Sequence, residues 1–581
     1  MLPTTDRSHK KKYSLKITFW LIAILLGALQ AWVNRYNLST DDIIAYLDVG
    51  DAYLRGDWQG AINGYWSPLY SWILALTLAF LKPSTYWEFP AVKLVNFLIY
   101  LFTFVCFNFF WREAISYYQA RILKDSLNSS FEIPKWVWVV LGYSLFLLSS
   151  LQWIGIYCDT PDMCVAALVY LAAALVLRIH QPSNSKHWLN FIALGGVLGL
   201  GYLSKTAMFP VAFVFLGVAL FSVGNLRRAL LPALVSLLVF TTISSLFIVA
   251  VSTARGHPTF GDAGKLNYAW LVTGGVKPYR FWQGDEPGNG TPKHPPRKIF
   301  SSPDVFEFAA PIKGTYPPWH DPSYWYEGLS VKFDLISQLK VLLKNAFYYY
   351  KVFLGGLLFS YLIILTVGDR FLLSLKELTR SWVLLILATA GLGVYMLGID
   401  MLTAIIDKQP STRYIAPFIV LLFAGVFSSV RLPNSQESKR LIAGITLATL
   451  ITVGVQLSYH TLNELESELV ERKPHLHWQV VESLNQLGVL PGEKVALLGY
   501  YMYPHYHWAR LARVKIVAEI LDAEAFWEQD SSIRSKILEK VEETGAKLIV
   551  QKPGIKTTVP ISTMGWKKLG NTSYYVYFFQ K

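Results

Sequence analysis

Ser39-Thr40-Asp41-Asp42-Ile43-Ile44-Ala45-Tyr46 follows directly on the first apolar run of the chain, Ile17 to Val33. Continued through Asp48, Asp51, Arg55-Gly56-Asp57-Trp58 and Tyr65-Trp66-Ser67-Pro68-Leu69-Tyr70, it places five acids in the seventeen positions 41–57. The uncharged run is long enough to cross a bilayer, for which about 20 residues are the usual need. Its trailing carboxylates therefore stand just outside a membrane, at the lip of whatever the spans enclose. An ionisable group at membrane depth carries a penalty of about 3 kcal/mol on insertion scales, so a chain that keeps such groups at a span end has a use for them. The fold class that follows is a polytopic α-helical membrane protein.

Composition agrees with that setting. Of 581 residues, 53% are hydrophobic, 15% aromatic and only 16% charged, against roughly 25% charged in soluble domains. The formal charge of +14 comes from Lys and Arg in short clusters between apolar runs, which is the pattern that orients a chain in a bilayer. Nucleic acid is accordingly not an expected partner. Three cysteines, Cys106, Cys158 and Cys164, make no disulfide framework and lack zinc-site spacing, and they read as small apolar residues.

Arg7, Lys10, Lys11, Lys12 and Lys16 precede the first span and should hold the N-terminus in the cytoplasm. No small-residue cleavage site follows Val33, so a retained first helix is expected, with Asp41 outside. Further spans are expected at Ala91 to Trp111, Val137 to Ile156, Pro161 to Leu177, Leu189 to Ser204, Ala207 to Ser222, Ala229 to Val251, Ala346 to Val367, Trp382 to Gly398, Arg413 to Val430 and Leu441 to Ser458. If each crosses once, the clusters Arg112/Arg121/Lys124, Arg178/Lys186, Arg227-Arg228, Arg370/Lys376/Arg380 and Arg431/Lys439/Arg440 all fall on one side, and the C-terminus falls outside. Trp66 to Leu81 is apolar but short. Counting it as a crossing would move every later basic loop outward, so parity favours a juxtamembrane or re-entrant half-span, within a total of about 11–13 helices.

Two long polar regions remain. Residues 252–340, rich in Pro, Gly and aromatics, form an outer loop of lid-like length. Residues 460–581 read as helix, two strands, helix and two strands (Leu476 to Leu487, Lys494 to Leu498, Val514 to Ala518, Ser532 to Thr544, Lys547 to Val550, Tyr574 to Phe579), a small soluble α/β domain on the outer side. The division expected is thus 1–459, transmembrane, with outer loops 35–65 and 252–340, and 460–581, extracytoplasmic.

The residues that could carry chemistry cluster on the outer side. On a helix from Thr40 to Leu54, Asp41, Ala45, Asp48 and Ala52 share one face and Ile43, Leu47 and Leu54 another, which suits a helix lying in the interface. Asp41 and Asp42 could instead simply cap it. Asp159-Thr160-Pro161-Asp162 forms a second outer acidic spot, where Asp162 would also suit the first turn of a helix opened by Pro161. Lys205, alone between two apolar runs, could snorkel or hold a phosphate. Arg413-Tyr414 offers a cation able to grip phosphate with two hydrogen bonds, or an interfacial anchor. Asp400 and Asp407 flank another span end. His505 and His507, two apart, could bind metal on a strand but have no third ligand in sequence. No phosphate-binding glycine loop and no His-Glu-x-x-His motif is present, which argues against nucleotide-driven chemistry.

Together, Asp41-Asp42, Trp66 to Tyr70, Asp162, Gly201-Tyr202-Leu203-Ser204-Lys205 and Arg413-Tyr414-Ile415-Ala416-Pro417 resemble the ordered motifs of the GT-C superfamily of integral membrane glycosyltransferases, nearest the aminoarabinose and protein mannosyl transferases. The resemblance covers roughly the first 430 residues. It implies a sugar carried on a polyprenyl phosphate, consumed on the extracytoplasmic face of the cell membrane with inversion at the anomeric carbon, and an acceptor that is a glycan, a lipid or a protein. It also implies that Asp41 acts as general base or orients the acceptor, with Asp42 replacing the family's frequent Glu, so that either acid could be the one that reaches the acceptor. Asp162 would position acceptor or a divalent cation, with a metal possible at Asp41 and Asp162. Lys205, Arg413 and Tyr414 would hold the lipid phosphate. The competing readings are a transporter or flippase, in which Asp41, Asp162, Lys205 and Asp400 line a pathway, and a non-catalytic receptor. Charges near one face argue against the first, since a transporter would place them at mid-membrane. The clustered acids argue against the second.

Overall fold

The computed structural model describes residues 5–124, 131–181, 187–273, 297–308, 312–325, 331–354, 371–402, 411–471, 475–499, 506–552 and 565–579. Among the described residues, six helices are long and apolar enough to cross a membrane: Leu15–Val33, Glu88–Ile122, Lys135–Ile154, Asp162–His180, Leu226–Arg255 and Gln436–Val470. Shorter apolar helices run over Pro68–Leu81, Trp188–Ser204, Met208–Ser222, Trp382–Gly398 and Thr412–Phe427. The fold is the polytopic helical one expected. Each anticipated span meets one of these helices except Ala346 to Val367, which starts in the helix Leu335–Leu354 and then leaves the described residues. The segment expected as a half-span is the helix Pro68–Leu81, whose 14 residues extend only about 21 Å, less than the roughly 30 Å of a hydrocarbon core.

Three helices show how the two ends of the bundle differ. Asp162–His180, 19 residues long and so about 28 Å, starts at Asp162 and ends beside Arg178, which pairs with Glu113 at 3.7 Å. Glu88–Lys124 runs from Glu88 to Arg121, and Thr412–Phe427 runs from Arg413 toward Arg431. At the far end, buried Glu377 collects Arg121 at 2.5 Å, Arg380 at 2.6 Å and Arg431 at 2.7 Å. Members of three separate basic clusters thus meet on one carboxylate, which puts those clusters at one end of the bundle. The acids after the first span lie at the other.

Close packing between spans depends on small residues, as is usual where no hydrophobic drive separates helix from lipid. Gly142 is the sharpest case: a Cβ there would sit 2.2 Å from the Trp111 ring, and that ring is held by its Nε1–H donating to Trp138 O at 2.8 Å. Gly142→Ala is expected to destabilise the bundle by about 1–3 kcal/mol through overpacking, read as a lowered thermal unfolding midpoint of the purified protein in detergent. An unchanged midpoint would mean that the indole has room to move.

The helix Asp42–Arg55 differs from the interfacial helix expected. Ile43, Ile44, Tyr46, Leu47, Asp48 and Val49 are all buried, on both faces. One side packs on Pro68–Leu81, so closely that a Cβ on Gly50 would lie 2.9 Å from Ser71 O. The polar side is covered by loop and tail residues. Asp48 accepts from Thr315 N at 2.6 Å and pairs with Arg510 at 2.7 Å. The amphipathic pattern was real, but its polar face meets protein and not water, because acids spaced three or four apart suit a buried guanidinium as well as solvent. The helix ends at Gly56, whose φ of +69° favours glycine.

The C-terminal unit is a mixed seven-stranded sheet in the order β1-β2-β4-β3-β5-β7-β6. Strands β3 (Lys494–Leu498), β4 (Lys515–Ile520), β5 (Leu548–Gln551), β6 (Trp566–Lys568) and β7 (Tyr575–Phe578) come from the tail. Central β3 pairs in parallel with β4 and β5, and all three are near-continuous apolar runs, as strands buried on both faces should be. The helices Ala523–Glu528 and Ser531–Glu542 start where Asp522 and Asp530 accept from backbone N–H groups. Strand β6 and the two remaining strands were not anticipated: β1 (Arg297–Phe300) and β2 (Val305–Glu307) belong to the loop 252–340 and join the tail through an antiparallel β2–β4 ladder. The helix Gln436–Glu471 also continues past residue 460. Loop and tail thus form one sheet, a pairing that short strands of ordinary composition do not announce in sequence.

Candidate active site

The site is built at the end of the bundle opposite Glu377. Asp162, the first residue of its helix, is buried and anchors two cations: Lys205 Nζ lies 2.5 Å from Oδ1, and Arg413 Nε 3.4 Å from Oδ2. Thr160 Oγ1 donates to Asp162 Oδ2 at 2.7 Å. Tyr414 presents both cations, with its ring centroid 4.1 Å from Lys205 Nζ and its hydroxyl accepting from Arg413 Nη2 at 2.8 Å. Burial works against the Lys205 charge, and the Asp162 carboxylate more than reverses this, so the ammonium sits above its ordinary range. Lys205 therefore does not snorkel away alone; it is one half of a cation pair. Asp162 does more than suit a helix start.

The two acids of Asp41-Asp42 have different surroundings. Asp42 accepts from the Trp319 indole N–H at 3.2 Å, beside an aromatic wall in which Trp66 packs on Tyr46 at 5.1 Å, Tyr65 at 4.5 Å and Trp319 at 5.6 Å. Burial pushes its carboxyl up to about 6 and the Asp41 charge adds to that, while Arg413, the Trp319 hydrogen bond and Lys205 pull the other way. Asp42 thus shares its field with the cation pair. Asp41 stands at the N-cap position but makes no side-chain cap bond; its Oδ1 lies 3.1 Å from His507 Nε2.

Asp159 has a different task from Asp162. Its carboxylate takes both oxygens to Lys93 at 2.7 Å, and accepts from Asn96 at 2.8 Å and from Ser39 N at 2.8 Å. It thereby ties the turn before Asp41 to the helix Glu88–Lys124. Asp400 pairs with Lys344 at 2.8 Å; Asp407 and His505 lie outside the described residues. His507 opens a helix, His507–Ala512, which corrects the expectation of a strand. Among the described residues no group of three or more His, Cys, Asp or Glu is placed to hold a metal. At Asp162 a divalent ion would have to displace an ammonium and a guanidinium, so these residues do not fit one.

The loop 252–340 reaches the site through Trp319. It is held by Arg255, which pairs with Asp321 at 2.6 Å and Asp262 at 3.5 Å and bonds Ser323. Gly64 passes beneath, where a Cβ would come within 2.7 Å of both Asp262 and Ser323. Trp319, His507 and Arg510 were missed by sequence reasoning as site neighbours. Their only signal was an aromatic-rich loop and a histidine that read as a possible metal ligand.

The chain is similar in structure to ArnT from Cupriavidus metallidurans bound to undecaprenyl phosphate, at 13% identity over 96% of this chain and 97% of that one, with a TM-score of 0.42. It is also similar to the archaeal oligosaccharyltransferase AglB from Archaeoglobus fulgidus in complex with an inhibitory peptide and a dolichol-phosphate, at 12% identity over 93% of this chain and 70% of that one, with a TM-score of 0.46. No protein-family model matches the chain, and no curated protein does.

Proposed function

We propose that this chain is an integral membrane glycosyltransferase of the GT-C kind, moving a sugar from a polyprenyl-phosphate donor to an acceptor on the extracytoplasmic face, with inversion. The observation that carries the reading is the Lys205–Arg413 pair that Asp162 holds at the ends of membrane helices, with the Trp319-bound Asp42 carboxyl in the field of both cations. A donor phosphodiester carries one negative charge. As its anomeric C–O bond breaks, the electron pair goes to the phosphate oxygen, and the leaving polyprenyl phosphate gains a second charge. Two cations fixed in a poorly solvated pocket stabilise that added charge without reorganising. The acceptor oxygen attacks the opposite face of the sugar, and Asp42 takes its proton. A carboxylate lifted toward neutrality is a stronger base than an ordinary one and stays ionised near pH 7. The loop bearing Trp319 orients that carboxylate and excludes water.

The test is transfer by purified protein in nanodiscs with radiolabelled polyprenyl-phosphate hexoses and pentoses, following both glycosylated product and released polyprenyl phosphate. The base works only when ionised, so log kcat/KM is expected to be flat above and to fall with unit slope below about pH 6. Solute flux with no donor turned over would replace this reading by a transporter.

A further inference from the structure

His507 is 466 residues from Asp41 in the chain, yet its Nε2 lies 3.1 Å from Asp41 Oδ1 and its side chain is fully buried. The contact is part of a grip. Three residues on, Arg510 pairs with Asp48 and Asp51 at 2.7 Å and with Glu88 at 3.0 Å. Arg513 reaches Glu88 at 2.7 Å. The C-terminal unit therefore holds the helix that carries the two acids along successive turns, with a rigid buried guanidinium fixing the depth at which the imidazole arrives. Burial opposes the Arg510 charge, and Glu88, Asp51 and Asp48 reverse that, so the latch stays charged.

The chemistry of the contact has a direction. An ionised carboxylate only accepts, so Nε2 carries the proton. Nδ1 is buried with no hydrogen-bond partner among the described residues. The ring thus donates to Asp41 through Nε2. It fixes the orientation of Asp41, whose charge is one of the influences felt by Asp42.

We propose that His507 is a positioning residue for the Asp41-Asp42 pair, so that the C-terminal unit completes the site from outside the membrane helices. The proposal rests on the glycosyltransferase reading above. The test uses the full chain in nanodiscs with a polyprenyl-phosphate sugar that the wild type turns over, and compares His507→Phe, which keeps the ring volume, with His507→Gln, which keeps a donor near the position of Nε2. The Phe variant is expected to lower kcat by about 10- to 100-fold, the loss typical of a reacting group held slightly out of place. Donor KM and the unfolding midpoint should hold, and the Gln variant should recover most of the rate. An undiminished kcat in His507→Phe overturns the proposal. So does a loss that tracks a lowered unfolding midpoint and is not recovered by Gln, because the histidine would then only be holding the unit in place. Both results leave the transferase reading standing, whereas a wild type that turns over no donor removes both.

Discussion

Asp42→Asn is expected to lower kcat for sugar transfer by about 100- to 10,000-fold, the range general-base catalysis supplies, while polyprenyl phosphate binds at least as tightly as to the wild type. The amide has the same size, and its oxygen can still accept from the Trp319 indole, so the pocket should keep its shape. What disappears is the basic oxygen and one negative charge that acts on Arg413 and Lys205. Losing that charge makes the phosphate site more positive, which is why binding and turnover should move in opposite directions. A merely structural role would weaken both together. Asp41→Asn should be the milder change, since Asp41 Oδ1 faces His507 and the base itself remains. Single-turnover transfer and binding of a fluorescent polyprenyl phosphate measure the two quantities separately. If Asp41→Asn proved the more severe and Asp42→Asn were tolerated, the two roles would exchange.

The second large effect is expected at Lys205. Lys205→Met keeps the stem that lies by Tyr414 and removes the ammonium. A hydrogen bond to a charged group contributes about 1.5–3 kcal/mol net, and each 1.4 kcal/mol is tenfold, so affinity for polyprenyl phosphate should fall by about 10- to 100-fold. The rate should fall as well, because the lost cation acts more strongly on the doubly charged leaving group than on the bound donor. Asp162 keeps Arg413 and Thr160, and the Lys205 side chain is 24% exposed, so the fold should tolerate the change. Lys205→Arg should restore part of both quantities. Binding and turnover unchanged in Lys205→Met would show that the phosphate lies elsewhere.

Much of this protein is legible in its sequence. Apolar runs about the width of a bilayer, with Lys and Arg between them, state the helices and which loops belong together, because a lipid environment penalises an unpaired backbone or a charge wherever it falls. The convergence of Arg121, Arg380 and Arg431 on Glu377 is the structural counterpart of that pattern. Asp42, Asp162, Lys205 and Arg413 could be singled out for the same reason: charges at span ends are scarce, so each one attracts notice. Their division of labour could not. Asp159 and Asp162 are three residues apart and chemically identical, yet one braces Ser39 against Lys93 and Asn96, and the other holds two cations. Which of Asp41 and Asp42 faces the cation pair depends on what else reaches them, and those groups, Trp319 and His507, arrive from segments hundreds of residues away. The polar face of Asp42–Arg55 read as wet for want of any local mark that Arg510 would cover it. Membrane insertion is written locally because lipid judges each segment by itself; the chemistry of a buried carboxyl is set by which distant donors and charges surround it, and only the tertiary structure decides that.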